Sequence, residues 1–205
     1  LNINLNTKIK SIVHMKTVIF NLAMALFAGT MVFANPIEGD EKPVNLAESK
    51  ITWKGYKVTG SHYGTIDLKS GKLVFDGDKL TGGEFEVDMT TLISEDLSGN
   101  SKTKLEGHLK SDDFFGVATY PSSRLVFTQV QSTGKNRYEV TGDLTIKDHT
   151  EQITFEISVY GSKATANLTI DRSKFDVRYG SGSFFENLGD KTIYDDFNIV
   201  ADLVF

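Results

Sequence analysis

The side chains of this sequence that could carry chemistry are three histidines beyond residue 34, several acidic pairs and one glycine-serine loop. His62, His108 and His149 stand in no His-Glu-x-x-His spacing, and none neighbours a residue with the setting of a nucleophile. His108, in Leu105-Glu106-Gly107-His108-Leu109, is the most informative of them. A general base needs a partner of matched pKa within reach, and the sequence names none, so the histidines read as structural or surface residues, with a hydrogen bond to the polar end of a ligand as the alternative open to His108 on the helical insertion. The pairs Glu95-Asp96, Asp112-Asp113 and Asp195-Asp196 lack the spacing of a calcium loop, and neighbours on a strand point to opposite faces. They read as solvated charge or caps, with Ser111 or Asp112 capping a turn. Gly180-Ser181-Gly182 has no following lysine and no strand-to-helix setting, so it reads as a tight loop and not as a phosphate cradle. With 0 Cys, thiolate metal sites, disulfides and an acylated cysteine anchor are all excluded. No metal and no cofactor is expected.

Beneath these residues lies a pattern of alternation. Of 205 residues, 40% are hydrophobic and only 3 are Pro, the composition of a folded chain. The net charge of -5 argues against a nucleic-acid partner, which would call for a basic surface. Residues 1–14 precede Met15 and read as upstream sequence outside the fold. Met15 to Ala34 carries one lysine, an apolar run from Val18 to Phe33 and a Val32-x-Ala34 ending, which together predict a secretory signal cut after Ala34. The protein is therefore expected in the periplasm or secreted. A polar leader spans 35–48, and the folded domain is expected over 49–205.

Through that domain apolar residues recur at every second position: Ile51 and Trp53, Ile66 and Leu68, Phe85, Val87 and Met89, and so on to the inward set Phe197, Ile199, Ala201 and Leu203. Gly55 shifts the phase and predicts a bulge. Ser70-Gly71 and Asp76-Gly77 are read as turns. Leu105 and Leu109 stand at helical spacing, so Asn100 to Lys110 is expected to be a short helix followed by an aromatic loop. The fold class this implies is all-β, an antiparallel up-and-down barrel of about eight strands with a short helical insertion. A barrel of that size is either filled by side chains or hollow enough for one small ligand. Phe114-Phe115 and Phe184-Phe185, outside the strands, are expected to pack, either plugging the barrel ends or gating a cavity. Strand parity adds Trp53, Phe85, Phe127, Tyr138, Phe155 and Phe197 as inward-facing candidates.

Leu105 through Phe115, Tyr120-Pro121, Gly142-Asp143-Leu144-Thr145-Ile146-Lys147 and Asp171-Arg172-Ser173-Lys174-Phe175 together resemble the YceI-like polyisoprenoid-binding family, over about Ser49 to Phe205. The resemblance implies a lipocalin-like barrel with an elongated apolar cavity that takes a polyisoprenoid or fatty amphiphile and catalyses nothing. It places Leu109, Phe114, Phe115 and Tyr120 near that cavity and His108 near its polar end. Three rival readings use the same residues, the plainest being a ligand-free structural barrel. In a small outer-membrane barrel the apolar parity would face lipid, although several strands are short for a membrane crossing, and stable membrane insertion is not expected. In an enzyme for an apolar substrate, His108 would act with Asp112 or Asp113. The pattern permits a homodimer without requiring one.

Overall fold

The computed structural model describes residues 39–205. The signal-like segment and the residues before it lie outside the described residues. Nine strands follow in chain order: β1 (Asp40–Pro43), β2 (Lys50–Lys57), β3 (Gly60–Asp76), β4 (Lys79–Ser94), β5 (Ser122–Gly134), β6 (Arg137–Ile146), β7 (His149–Tyr160), β8 (Lys163–Asp171) and β9 (Ile193–Val204). One helix, α1 (Gly99–Lys110), separates β4 from β5. Each of β2 to β9 pairs antiparallel with its sequence neighbours, and β9 pairs back onto β2, which closes an eight-stranded up-and-down barrel. Closure leaves no long open edge among these strands. The ninth strand, β1, comes from the segment read as a polar leader. It adds to β3 beyond the end of β2, with Asp40 opposite Phe75 and Pro43 opposite Lys72.

Alternation does in the barrel what the sequence asks of it. On β6 the buried positions are Tyr138, Val140, Leu144 and Ile146, while Arg137, Glu139, Thr141 and Asp143 point outward. The phase shift at Gly55 is a bulge against β9, where the register slips between Gly55 and Lys57. Asp76 and Lys79 pair across a two-residue turn that Gly77 opens at φ 58°, a conformation glycine takes without steric cost.

Ser70-Gly71 corrects the reading given above, because it is no turn. β3 runs unbroken for 17 residues, and the change of parity from Ile66 and Leu68 to Leu73 and Phe75 is absorbed by a register shift between Leu68 and Ser70. Gly71 is needed for close packing: a Cβ there would stand 2.8 Å from the Phe85 ring.

The two ends of the barrel differ. Where the β3–β4, β5–β6 and β7–β8 turns gather, Leu73, Phe75, Leu80, Val140 and Val159 are buried and fill the interior, and Phe75 stacks on Phe205 with ring centroids 5.4 Å apart. At the other end the β2–β3 and β6–β7 turns are short, but the β4–β5 and β8–β9 connections are long and carry α1, the loop 111–121 and the excursion 172–192. Among the described residues no helix is long and apolar enough to cross a membrane.

Candidate functional site

A cavity of about 230 Å³ occupies the barrel between the packed end and α1. Its cause is visible in the register. Ala166 on β8 lies opposite Ala201 on β9, and Ala201 lies opposite Ile51 on β2, so two methyl groups stand side by side where the neighbouring strands present larger side chains. An apolar void of ~150 Å³ is enough to take benzene. This one is larger, and its wall is almost entirely carbon.

Of the side chains singled out in the sequence, Trp53, Phe85, Phe127, Phe155 and Phe197 all lie on the wall, contributed by five different strands. Leu109, Phe114, Phe115 and His108 join them from α1 and the loop behind it. The helix end explains how that loop is held: Leu109 and Lys110 give their carbonyls to the amides of Phe115 and Val117, at 3.2 and 3.0 Å. Satisfying the orphan carbonyls of the last turn folds the chain back and sets Phe114 edge-on to Phe115, 4.9 Å between centroids.

Two candidates fall off the wall. Tyr138 follows the β5–β6 turn and fills the closed end, its hydroxyl 3.5 Å from the Asp78 carbonyl. Tyr120 is drawn to Gly116, whose carbonyl accepts its amide at 2.9 Å and whose missing side chain makes room for the ring. A third expectation also changes. Phe184 and Phe185 do not pack away: they are 41% and 49% exposed, and the Arg178 guanidinium lies 5.0 Å from the centre of the Phe184 ring.

Polar side chains reach the wall mainly at the α1 end. The His62 ring and Asp96 share a hydrogen bond of 2.7 Å, and Asp96 also accepts from the Ser94 hydroxyl and the Tyr63 amide. Burial works against ionisation of Asp96, but the bonds from His62, Ser94 and Tyr63 outweigh it and hold its carboxyl below the usual range. The Trp53 indole donates to the Ile93 carbonyl at 3.1 Å. Arg172, 2% exposed, donates to the carbonyls of Val177, Ile193 and Tyr194 and lies 3.4 Å from Asp195. Burial pulls its guanidinium below the ordinary arginine value, and Asp195 and Asp171 oppose that pull.

His108 is the exception. Its ring sits edge-on between Tyr179, 4.3 Å away, and Phe114, 5.5 Å away, and its Nε2 is buried with no hydrogen-bond partner among the described residues. Asp112 and Asp113 are exposed and neither bonds to it, so the pairing that an enzymatic reading calls for is not formed.

Much of the wall was within reach of the sequence but not singled out. Ile66, Leu68, Val87, Met89 and Ile199 share the parity of the chosen aromatics and line the cavity with them. Arg172 continues the inward series Ala164, Ala166, Leu168, Ile170, a signal masked by its charge.

Fold and site together define a closed antiparallel barrel with an enclosed apolar lumen and a few polar groups at the helix-capped end. The chain belongs to the YceI-like domain family, whose model matches residues 43–205. It is 29% identical over 141 residues to a UPF0312 protein of Shewanella denitrificans, covering 68% of this chain and 70% of that one. Its fold is similar to that of BcnA from Burkholderia cenocepacia, with a TM-score of 0.64 and 25% identity over 79% of this chain and 99% of the other. It is also similar in fold to a polyisoprenoid binding domain from Saccharophagus degradans, with a TM-score of 0.55 and 11% identity over 81% and 97% of the two chains.

Proposed function

We propose that this protein binds a polyisoprenoid or other long-chain amphiphile in the barrel lumen and serves as a carrier, store or scavenger in the bacterial envelope, without covalent chemistry. The observation that carries this reading is the hollow itself: Ala166 and Ala201 keep about 230 Å³ open inside an apolar wall, in a barrel that is otherwise closely packed. Burying ~10 methylene equivalents at ~0.8 kcal/mol each gives on the order of 8 kcal/mol before entropic costs. That corresponds at best to roughly micromolar binding, suitable for a protein that both takes up and releases its cargo. The signal-like segment before Asn35 supports export, and the name of the Saccharophagus degradans structural neighbour supports the class of ligand.

A lipid-facing barrel fits less well. The outward positions of β6 are Arg137, Glu139, Thr141 and Asp143, whereas a membrane barrel presents an apolar band there. Native mass spectrometry of the protein purified from its producing cells tests the proposal. A co-purifying amphiphile, or uptake of an added C20 prenyl chain in one-to-one ratio, is the expected result. A protein that arrives empty and takes up no such chain contradicts it.

A further inference from the structure

Exposed apolar side chains are not spread evenly over the barrel. Among the large hydrophobic residues exposed in the described structure, only Leu46 and Tyr160 lie toward the packed end; the others, among them Val58, Tyr179, Phe184, Phe185 and Tyr194, stand at the helix-capped end. Apolar exposure concentrated on one face marks an interaction site. The loop that carries the two phenylalanines is built to hold them out. The carbonyl of the buried Ser181 accepts the amides of Phe184 and Phe185 at 3.3 and 3.0 Å, its hydroxyl accepts the Ser183 amide at 3.1 Å, and the Ser183 hydroxyl donates to Asp195 at 2.6 Å. Backbone groups satisfied within the loop can enter a lipid interface without forfeiting hydrogen bonds to water. The lumen reaches the surface beside the same residues, for Tyr56, Lys57 and the exposed Tyr194 all line it. The β2–β9 register jumps there from Gly55 opposite Phe197 to Lys57 opposite Ile193, which leaves Tyr56 alone against residues 194–196. A Cβ on Gly55, which also lines the lumen, would meet nothing within 4 Å, so this seam is loosely filled.

We infer that the helix-capped rim docks reversibly on the surface of a zwitterionic phospholipid bilayer, with Phe184, Phe185 and Tyr194 at the interface and the β2–β9 seam turned toward the lipid. The inference rests on the binding role proposed above, since a barrel that exchanges a lipid chain must meet the phase that holds it. The residue types favour a bilayer: aromatic rings, above all those with a polar tip such as Tyr179 and Tyr194, settle at the boundary between acyl chains and headgroups. Charge chooses the headgroup. An anionic leaflet is recognised by clusters of about four to eight Lys and Arg. The cleft of about 560 Å³ beside Phe185 instead balances Lys147, Arg178 and Lys191 against Asp112, Asp113 and Asp176. That balance complements the paired phosphate and ammonium of a zwitterionic head. The whole chain, at a net charge of -5, would be repelled by an anionic surface.

The test is co-sedimentation of the protein with vesicles of phosphatidylcholine and phosphatidylethanolamine, beside matched vesicles containing phosphatidylglycerol, with geranylgeraniol uptake in free solution measured on the same preparation. Association with the zwitterionic vesicles is expected, changing less than about threefold between about 0.1 and 0.5 M NaCl, because inserted rings are not screened by salt. The Phe184→Ser, Phe185→Ser double variant should weaken it by at least about tenfold and leave geranylgeraniol uptake unchanged. Phe185→Trp, which keeps an aromatic ring, should retain association and shift its emission to the blue when vesicles are added. A protein that takes up geranylgeraniol but sediments with neither vesicle overturns the docking and leaves the lumen as the binding site. So does association confined to the phosphatidylglycerol vesicles and abolished by salt, or association that the double variant does not weaken. Vesicle docking by a protein that takes up no geranylgeraniol supports the docking and overturns the binding role.

Discussion

Replacing Ala201 by Phe places a ring in the space that the Ala166–Ala201 pair leaves open. In a close-packed core such a change costs ~1–3 kcal/mol through strain. Here the reverse is expected. A void leaves about 24 cal/mol of packing unrealised per Å³, so a cavity of about 230 Å³ represents on the order of 5 kcal/mol that a side chain can partly recover. Burying a phenyl ring contributes ~1.5–3 kcal/mol, of which rotamer entropy removes a part. A net gain of ~1–2 kcal/mol, or a Tm rise of roughly 2–8 °C for a chain of this size, is the expectation for the ligand-free protein. Prenyl-chain binding should fall by at least a hundredfold at the same time. Thermal melts and a binding titration on the same preparation read both effects. A variant that loses several kcal/mol would mean the lumen is not open, and one that binds as well as the parent would place the ligand elsewhere.

Other consequences follow from single contacts. Gly71→Ala should destabilise the barrel by ~1–2 kcal/mol in urea melts, because its Cβ would meet the Phe85 ring at 2.8 Å. A glycine in an open turn of ordinary backbone conformation would instead gain ~0.4–1 kcal/mol from the same change. Arg172→Leu strips the buried Val177 carbonyl, the part-buried Ile193 and Tyr194 carbonyls and Asp195 of their partner and should cost ~3–5 kcal/mol, with Arg172→Lys failing to restore the three-carbonyl geometry. The depressed pKa of Asp96 gives a stability contribution that is fully present above the unfolded carboxylate value of ~3.9 and is lost as pH falls through the lower folded value. Urea melts at pH 6 and pH 3 should therefore show a smaller acid penalty in Asp96→Asn than in the parent, and an equal penalty would contradict this.

What could be read in the sequence divides by mechanism. The barrel was legible because a half-buried strand imposes a period of two, and β6 through β9 keep it almost without interruption. The Gly71 turn was misread because a bulge and a turn leave the same trace, a parity change beside a glycine. Tyr138 has the inward parity of a wall residue, and only its distance from the cavity, set by a hairpin end, removes it from the site. Whether the lumen is hollow was out of reach, because it depends on two alanines meeting across β8 and β9, a pairing that no local pattern reports. Arg172 and the His108 nitrogen that has no partner among the described residues were hidden for a related reason: what surrounds them is fixed by segments far away in the chain.

Trp53 is the one tryptophan of the chain and stands on the cavity wall, so it reports directly on what enters. A prenyl or fatty chain carrying bromine at its mid-point quenches indole emission on contact. The account predicts saturable, one-to-one quenching of Trp53 that is reversed by the unlabelled chain and lost in Ala201→Phe. Emission that stays constant while the chain binds, or quenching that persists with the lumen filled, would contradict it.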